Sequence, residues 1–295
     1  MLTKAVRNVP VTESASPFRS KLIFDTPVTI ANLPGVRRID PCGMNVLKTP
    51  AGKAFRPQDD RHIYLVWIAW VWAWTLIGFV PDLSRYMAET PPPPFVLHLH
   101  GFVYSLWLVC VTAQIALVEV GKPALHRSLG WWLVGLSALL VPLGLTATMV
   151  DMARSAAHTP YQPEFLGLEF QSMLVFAILL WLAVRMRRDL AAHKRLMILL
   201  TLCFIDPGGS RAFSLFSPVQ PGGAFGWWLH YFWANAAMLV AMMGWDVWRH
   251  GRVHPALLGG GAILATGEAA AVALEFLPWW HGVAGSIVAA WGWTG

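Results

Sequence analysis

Residues 95–119 read FVLHLHGFVYSLWLVCVTAQIALVE, a run in which the final residue, Glu119, is the one Asp, Glu, Lys or Arg. A helix that crosses the hydrocarbon core of a bilayer needs about 20 mostly apolar residues. The run meets that requirement, and its first two turns contain His98 and His100. The sequence therefore predicts a transmembrane helix that carries two histidines close to its start.

Six further stretches have a similar length and apolar content. They cover residues 63–81, 129–150, 165–185, 194–217, 226–247 and 255–276. Asp206-Pro-Gly-Gly209 interrupts the stretch 194–217, which predicts a break in that helix because proline and glycine disfavour a helix interior. Short connections join the stretches. We therefore predict an all-α integral membrane bundle of about seven transmembrane helices arranged as hairpins.

The composition of the chain narrows its class and its partners. Charged residues make up 13% of the 295 residues, whereas soluble domains carry roughly 25%. This argues against an ordinary soluble enzyme, and the hydrophobic fraction of 56% excludes disorder over most of the length. The net charge of +6 comes without a basic stripe interleaved with stacking aromatics, so no nucleic acid is expected. The expected partners are the lipid bilayer and other subunits of a membrane complex.

The basic residues predict how the bundle is oriented. Nineteen Lys and Arg residues fall on the side of the N-terminal segment, against three on the other side: Arg85, Arg154 and Arg211. Cytoplasmic loops of membrane proteins carry the excess of Lys and Arg. The N-terminus is therefore predicted to be cytoplasmic and the C-terminus to lie outside, in a bacterial inner membrane.

The chain divides into three parts on the same grounds. Residues 1–60 are a basic, proline-punctuated cytoplasmic arm, which lacks the apolar core of a signal peptide and suits an anionic inner leaflet. Residues 61–277 form the predicted seven-helix transmembrane domain. Residues 278–295 form a Trp-containing tail on the outer side.

Histidines gather in the outer half of the predicted spans. His98 and His100 lie about one turn into the second span, and His230 lies at a similar depth in the sixth. His98 and His230 share their helix faces with small residues, which allow close helix packing. A haem, with haem b as the candidate, is one prediction, ligated by His98 or His100 together with His230. Hydrogen bonds across a helix contact are the alternative.

Charged residues extend this outer layer. Glu169 lies in the fourth span, Glu268 in the seventh, and Asp206 and Arg211 flank the break in the fifth. Charges inside a span are costly and by default functional, so these groups are predicted to orient ligands, bind propionates or relay protons. Broken helices also build substrate sites in transporters. A charge-paired structural break is the alternative for Asp206 and Arg211.

A metal ion is a second cofactor prediction for this layer. His98, His230 and Glu169 offer the nitrogen and oxygen donors that Zn or Fe prefers. The chain has no HExxH or CxxC motif. The metal prediction therefore rests on the shared depth of the three residues.

A short motif recurs where helices begin on the predicted cytoplasmic side. It is a histidine with Leu three residues later, and it occurs as His62–Leu65, His126–Leu129, His193–Leu196 and His254–Leu257. The recurrence indicates duplication of a helical hairpin. At a helix N-terminus the dipole favours the neutral, ligand-competent ring. The alternative is that each histidine marks the membrane interface.

Four histidine motifs resemble those of an uncharacterised family of bacterial polytopic membrane proteins. They are His98-Leu-His-Gly-Phe102, His126-Arg-Ser-Leu-Gly130, His193-Lys-Arg-Leu-Met197 and Gly251-Arg-Val-His-Pro255, and the resemblance covers about residues 61–270. The His-Arg pair that opens a membrane helix is also similar to haem-handling membrane proteins, including haem A synthases. By this analogy of fold, the resemblance implies a haem-linked function. The inner histidines lie at helix ends and not within spans, which departs from the usual bis-histidine haem pattern.

Three functions follow as hypotheses. The first is membrane redox chemistry at a haem or metal site in the outer half. The second is a non-enzymatic subunit of a larger membrane complex, or a protein that binds a lipid or pigment, which the 17 tryptophans and the terminal segments favour. The third is a small-solute transporter that uses the broken fifth span.

Overall fold

The computed structural model describes residues 55, 60, 62–155, 162–217 and 222–291. Nearly all of the predicted cytoplasmic arm, residues 1–60, lies outside the described residues, as do the last four residues of the predicted tail. Within the described ranges the chain is helical and contains no strand. The predicted all-α class is confirmed for this part of the chain.

Ten α-helices make up the described part of the chain. They are α1 (Ile63–Phe79), α2 (Leu83–Ala88), α3 (Phe95–Glu119), α4 (Pro123–Ser155), α5 (Leu166–Arg185), α6 (Leu190–Leu202), α7 (Asp206–Phe216), α8 (Gly223–His250), α9 (Pro255–Glu275) and α10 (Pro278–Trp291). A 3₁₀ turn, Pro163–Phe165, leads into α5. The predicted Trp-containing tail thus begins with a helix.

Five described helical segments are long and apolar enough to cross a membrane. They are Ile63–Ala88, Phe95–Glu119, Pro123–Arg154, Pro163–Arg185 and Pro255–Glu275. Helices α6 and α7 qualify together as one segment bent by 55°, which makes six. Helix α8 is 28 residues long. It contains His230, Asn235 and Asp246, and it is not among the segments that qualify.

The helices of the described part of the chain pack against one another in defined pairs. Helix α3 packs on α4, α5 packs on α6 and α9, and α7 packs on α1 and α8. Three aromatic rings fill the centre: the ring of Phe204 lies 4.8 Å from those of Trp107 and Phe176. The Trp107 indole N–H donates to Ser137 Oγ at 2.7 Å, so its polar atom is satisfied inside the core.

The break in the fifth predicted span falls just before the Asp-Pro-Gly-Gly sequence. Helix α6 ends at Leu202 and α7 begins at Asp206. Pro207 occupies the first turn of α7, where its missing N–H costs no helical hydrogen bond. The sequence correctly predicts a break, and Asp206 becomes the first residue of a new helix.

Helix α7 touches α1 backbone to backbone. A Cβ atom added at Gly208 would lie 2.6 Å from the carbonyl oxygen of Trp74, and a Cβ added at Gly78 would overlap Gly208. Any larger residue at either position would push the two helices apart. The two glycines therefore fix where α7, and with it Asp206, lies against α1.

Candidate functional site

A buried ion network closes the end of the bundle where α1, α4, α6 and α9 begin, which we call the basic end. Arg195 on α6 is 1% exposed and donates from Nε to both carboxylate oxygens of Asp246 on α8, at 3.1 and 3.0 Å. Its Nη1 also donates to the carbonyl of Ala191 at 3.0 Å. Asp246 Oδ2 accepts the backbone N–H of His254, the N-cap of α9, at 3.0 Å. Asp246 thus ties three helices together.

Asp60 brings the start of α1 into the same network. Its carboxylate oxygens lie 2.6 Å from Lys194 Nζ, 3.2 Å from Arg195 Nη2 and 2.7 Å from His250 Nε2. The indole N–H of Trp245 also donates to it, at 3.2 Å. Burial by itself raises the pKa of Asp60, but the hydrogen bonds from Lys194 and His250 outweigh it and lower the pKa from 3.8 to about 2.

We call Asp60, Lys194, Arg195, Asp246 and His250 the inner network. Two carboxylates face two cationic side chains, so the charges inside it balance. Buried charges are tolerated when paired and hydrogen-bonded in this way, and removal of one partner leaves a charge stranded. The inner network therefore holds α1, α6, α8 and α9 in place.

The charge pattern of the sequence does not predict this network, because Lys194 and Arg195 appear there only as loop charges. A signal was present in the sequence: Arg195 follows the helical spacing of Ala191, Leu199 and Leu202. All four are buried in the structure. A charged residue on the apolar stripe of a helix predicts a buried partner elsewhere in the chain.

A second polar cluster lies inside the bundle, at the break between α6 and α7. Asp206 at the start of α7 accepts a hydrogen bond from Asn235 Nδ2 on α8 at 2.5 Å. Glu268 on α9 accepts one from the indole N–H of Trp228 at 3.0 Å, and the side chain of Asn235 lies near it. Asp206, Asn235 and Glu268 are all at most 5% exposed. Two buried carboxyl groups and one carboxamide thus lie near one another inside the bundle.

We call Asp206 and Glu268 the carboxylate pair. Among the described residues, no Lys, Arg or His forms an ion pair with either of them. Two neighbouring negative charges in a medium of low dielectric constant repel each other and lose their hydration. A proton or a small cation is needed to balance them. The cluster is therefore suited to binding a proton or a cation.

Two unpartnered oxygen atoms add to this character. The side-chain oxygens of Asn235 and Gln171 are buried and accept no hydrogen bond. The Gln171 side chain packs directly against Gly267, the residue before Glu268. A Cβ atom added at Gly267 would collide with the Gln171 side-chain oxygen. Buried acceptors without donors are rare and need an explanation. An occupant that carries positive charge or donates hydrogen bonds would satisfy them.

Arg211 lies close to the carboxylate pair in sequence but pairs elsewhere. Its Nε lies 2.8 Å from Asp82 Oδ2, in the turn after α1, and its Nη1 donates to the carbonyl of Pro207 at 2.8 Å. At the same end, Arg154 lies 2.6 Å from Glu89. Arg211 therefore holds the end of α7 to α1 and leaves Asp206 without a cationic partner.

The predicted histidines lie apart from one another. His98 is exposed on α3, and the ring of His100 lies 4.1 Å from that of Tyr104. The ring of His230 contacts those of Phe213 and Tyr231, at 5.2 and 4.6 Å. In the described part of the chain, no ring contact or hydrogen bond joins the three histidines. The Nδ1 atoms of His100 and His230 are buried and unpartnered.

Glu169, the third predicted metal ligand, is also separate from these histidines. Its carboxylate accepts a hydrogen bond from Thr148 Oγ1 at 3.4 Å, between α5 and α4. Over the described ranges, no group of three or more His, Cys, Asp or Glu residues is arranged to hold a metal ion. The structure thus does not bring His98, His230 and Glu169 together.

Comparison with protein-family models, with curated proteins and with solved structures found no match. Two clusters of this chain are the candidates for its function: the inner network at the basic end and the carboxylate pair at the broken helix.

Proposed function

We propose that this protein moves protons across a bacterial inner membrane together with a small solute, and that Asp206 and Glu268 bind the proton. One observation carries the proposal: two buried carboxyl groups lie near each other beside a broken helix, without a cationic partner among the described residues. Ionisable groups inside a membrane bundle mark ion pathways and proton relays.

The chemistry of the carboxylate pair fits a reversible step. A proton bound between Asp206 and Glu268 removes one negative charge, and the Asn235 amide group then donates to the charge that remains. When water reaches the site, hydration stabilises both carboxylates and the proton leaves. The break between α6 and α7 supplies a place where a helix end can move, as broken helices do in transporters.

The proposed topology has seven spans with the N-terminus in the cytoplasm. The spans are α1, α3, α4, α5, α6 with α7, α8 and α9. Helix α8 is included because 28 residues reach about 42 Å at 1.5 Å per residue. The basic end faces the cytoplasm in this arrangement, as the excess of Lys and Arg there requires. Helix α10 then lies on the outer side.

The proposal is tested by proton uptake into proteoliposomes that contain the pH dye pyranine. A potassium–valinomycin gradient sets the membrane potential, and pools of amino acids, sugars, organic acids and amines are added in turn. We expect at least one pool to trigger proton uptake by the wild-type protein. Asp206→Asn and Glu268→Gln are expected to reduce that uptake at least tenfold.

Glu164→Gln serves as the matched control, since it removes a carboxylate from the 3₁₀ turn before α5. It is expected to retain wild-type uptake, and size-exclusion chromatography establishes that each variant is folded. The proposal is wrong if no pool triggers uptake by wild-type protein. It is equally wrong if folded Asp206→Asn and Glu268→Gln proteins take up protons at the wild-type rate.

A redox function is a second candidate, favoured by the unpartnered Nδ1 atoms of His100 and His230. These two atoms are the ones that a haem b or a Zn or Fe ion would use in this proposal. A reduced-minus-oxidised spectrum with elemental analysis tests it. Haem or metal that is lost in both His100→Ala and His230→Ala supports redox chemistry, and its absence from wild-type protein rejects it. If the purified protein has neither a chromophore nor proton uptake and other proteins co-purify with it, the results support a subunit of a larger membrane complex.

A further inference from the structure

Five exposed cationic side chains gather where α4 begins and α5 ends, at a place that we call the α4–α5 corner. Helices α4 and α5 pack against each other. The guanidinium of Arg187, just after α5, lies 5.4 Å from the ring of Trp131 near the start of α4, which places the two helix ends side by side. The five exposed cations of the corner are Lys122, Arg127, Arg185, Arg187 and Arg188.

These five side chains are not neutralised by the protein. In the described part of the chain, none of them forms an ion pair. The acidic residues nearest in sequence are engaged elsewhere. Glu119 pairs with His62 at 2.8 Å, and Asp189 Oδ1 accepts the N–H groups of Ala191 and Ala192 at the start of α6, both at 3.0 Å. The α4–α5 corner therefore keeps a strong positive charge.

Cations elsewhere in the described ranges do have partners. The inner network takes up Lys194 and Arg195. At the opposite end of the bundle, three arginines lie 3.4, 2.6 and 2.8 Å from acidic side chains: Arg85, Arg154 and Arg211. The excess of Lys and Arg at the basic end follows from the topology of a membrane protein. Their lack of partners at this one corner does not follow from it and needs another explanation.

Both helices of the corner carry an exposed arginine and an exposed tryptophan four residues apart. The pairs are Arg127 with Trp131 on α4 and Arg185 with Trp181 on α5, and the two indoles are 60% and 65% exposed. Residues four apart lie on one face of a helix, about 6 Å apart along its axis. Because the end of α5 lies beside the start of α4, the arginine is nearer the basic end in both pairs. Exposed indoles at this level are typical of the membrane–water interface.

We propose that the α4–α5 corner binds an anionic phospholipid, with its phosphate groups at the arginines and its acyl chains beside the tryptophans. A phosphate group accepts two parallel hydrogen bonds from one guanidinium, which makes arginine its preferred partner. Several arginines at one corner suit a lipid with two phosphate groups, cardiolipin, better than a lipid with one. The zwitterionic lipid phosphatidylcholine carries its own ammonium group and is a poorer match. The lipid site does not depend on proton binding by the carboxylate pair.

The test is a titration of the delipidated full-length protein in detergent micelles with tetraoleoyl cardiolipin, followed by native mass spectrometry. We expect one cardiolipin per chain at concentrations where dioleoyl phosphatidylcholine does not bind. Arg127→Gln and Arg185→Gln are each expected to weaken cardiolipin binding about fivefold, the contribution of one cation near anionic headgroups. Arg252→Gln is the matched control, since it removes an exposed arginine at the same end but outside the corner. It is expected to bind cardiolipin as wild-type protein does.

Four results would overturn the lipid site: equal binding of the two lipids by wild-type protein, unchanged binding in both corner variants, an equal loss in Arg252→Gln, or displacement of cardiolipin by inorganic phosphate. The substituted side chains are exposed, so the variants are expected to stay folded, and size-exclusion chromatography establishes this. The titration uses no solute and no membrane potential. Asp206→Asn is expected to bind cardiolipin normally, so failure of the lipid site and failure of proton transport are separable.

Discussion

The protein buries acidic side chains in two places and treats them in opposite ways. In the inner network, Asp60 and Asp246 meet the cations of Lys194 and Arg195 at hydrogen-bonding distance. In the carboxylate pair, the acidic groups meet only the amide of Asn235 and the indole of Trp228. In the inner network the protein's own cations balance the carboxylates. The carboxylate pair requires a proton or a cation from outside the protein.

This difference assigns the inner network to stability and the carboxylate pair to proton binding. A balanced network resists any change of charge, because loss of one member strands the others in a region without water. An unbalanced pair changes charge easily, because binding or release of a proton is what balances it. We therefore expect substitutions in the inner network to unfold the protein and substitutions in the carboxylate pair to leave it folded.

The largest effect is expected from Arg195→Ala. Removal of this side chain strands the carboxylate of Asp246, so the free energy of unfolding is expected to fall by about 3–5 kcal/mol. Unfolding titrations in mixed micelles measure the change. Arg188→Ala, which removes an exposed arginine at the same end, is the control and is expected to stay within about 0.5 kcal/mol of wild type. Equal losses in the two variants would contradict the prediction.

The next effect is expected from Gly208→Ala. The new methyl group would lie 2.6 Å from the carbonyl oxygen of Trp74. Overpacking of this kind costs about 1–3 kcal/mol, and backbone contact puts this position at the upper end. The melting temperature and proton uptake are both expected to fall, since α7 carries Asp206. Gly282→Ala, with open space around its Cβ position, is expected to change neither.

Acid is expected to weaken the inner network by about 2 kcal/mol. The pKa of Asp60 is lowered from 3.8 to about 2 in the folded protein, and each pKa unit corresponds to about 1.4 kcal/mol. Because the folded pKa is the lower one, this contribution is present above about pH 4 and is lost as the pH falls toward 2. Unfolding titrations across this range measure it. An Asp60→Asn protein whose stability falls equally with acid would refute the assignment to Asp60.

The smallest effect on stability is expected from Asp206→Asn. No cation is stranded by this change, and an amide group still forms a hydrogen bond with Asn235. We expect a loss below about 1 kcal/mol, close to the value of a neutral hydrogen bond. Asp246→Asn is the matched comparison, because the same chemical change there leaves Arg195 unpaired and is expected to cost more. If both variants lose the same stability, the contrast between the two clusters is wrong.

Much of the fold was predictable because apolar runs without charge are sufficient to predict membrane-crossing helices. The run 95–119 coincides with α3, and the proline and glycines after Asp206 mark a break that the structure places at 203–205. Helix α8 is less apolar because it contains polar residues such as His230 and Asn235, which are half-buried and buried in the protein. Hydropathy measures average composition, so it misjudges a helix that carries polar groups inward.

The candidate site was only partly predictable. Asp206 and Glu268 stand out in the sequence as charges within spans, but their proximity to each other and to Asn235 depends on which helices are neighbours. The proposed meeting of His98 with His230 depends equally on helix order and rotation, neither of which a helical wheel contains. Arg211 shows the limit most clearly, because its partner Asp82 is 129 residues away in sequence.

The contact between Gly78 and Gly208 has a consequence for how the protein is made. Helix α1 leaves the ribosome early, and Gly78 has no contact with Gly208 until α7 has been synthesised. At 5–20 residues per second, the chain from Phe79 to Asp206 takes on the order of ten seconds. Crosslinking of ribosome-bound chains of increasing length would time the contact. Until then, this part of the α1 backbone lacks the partner that covers it in the folded protein.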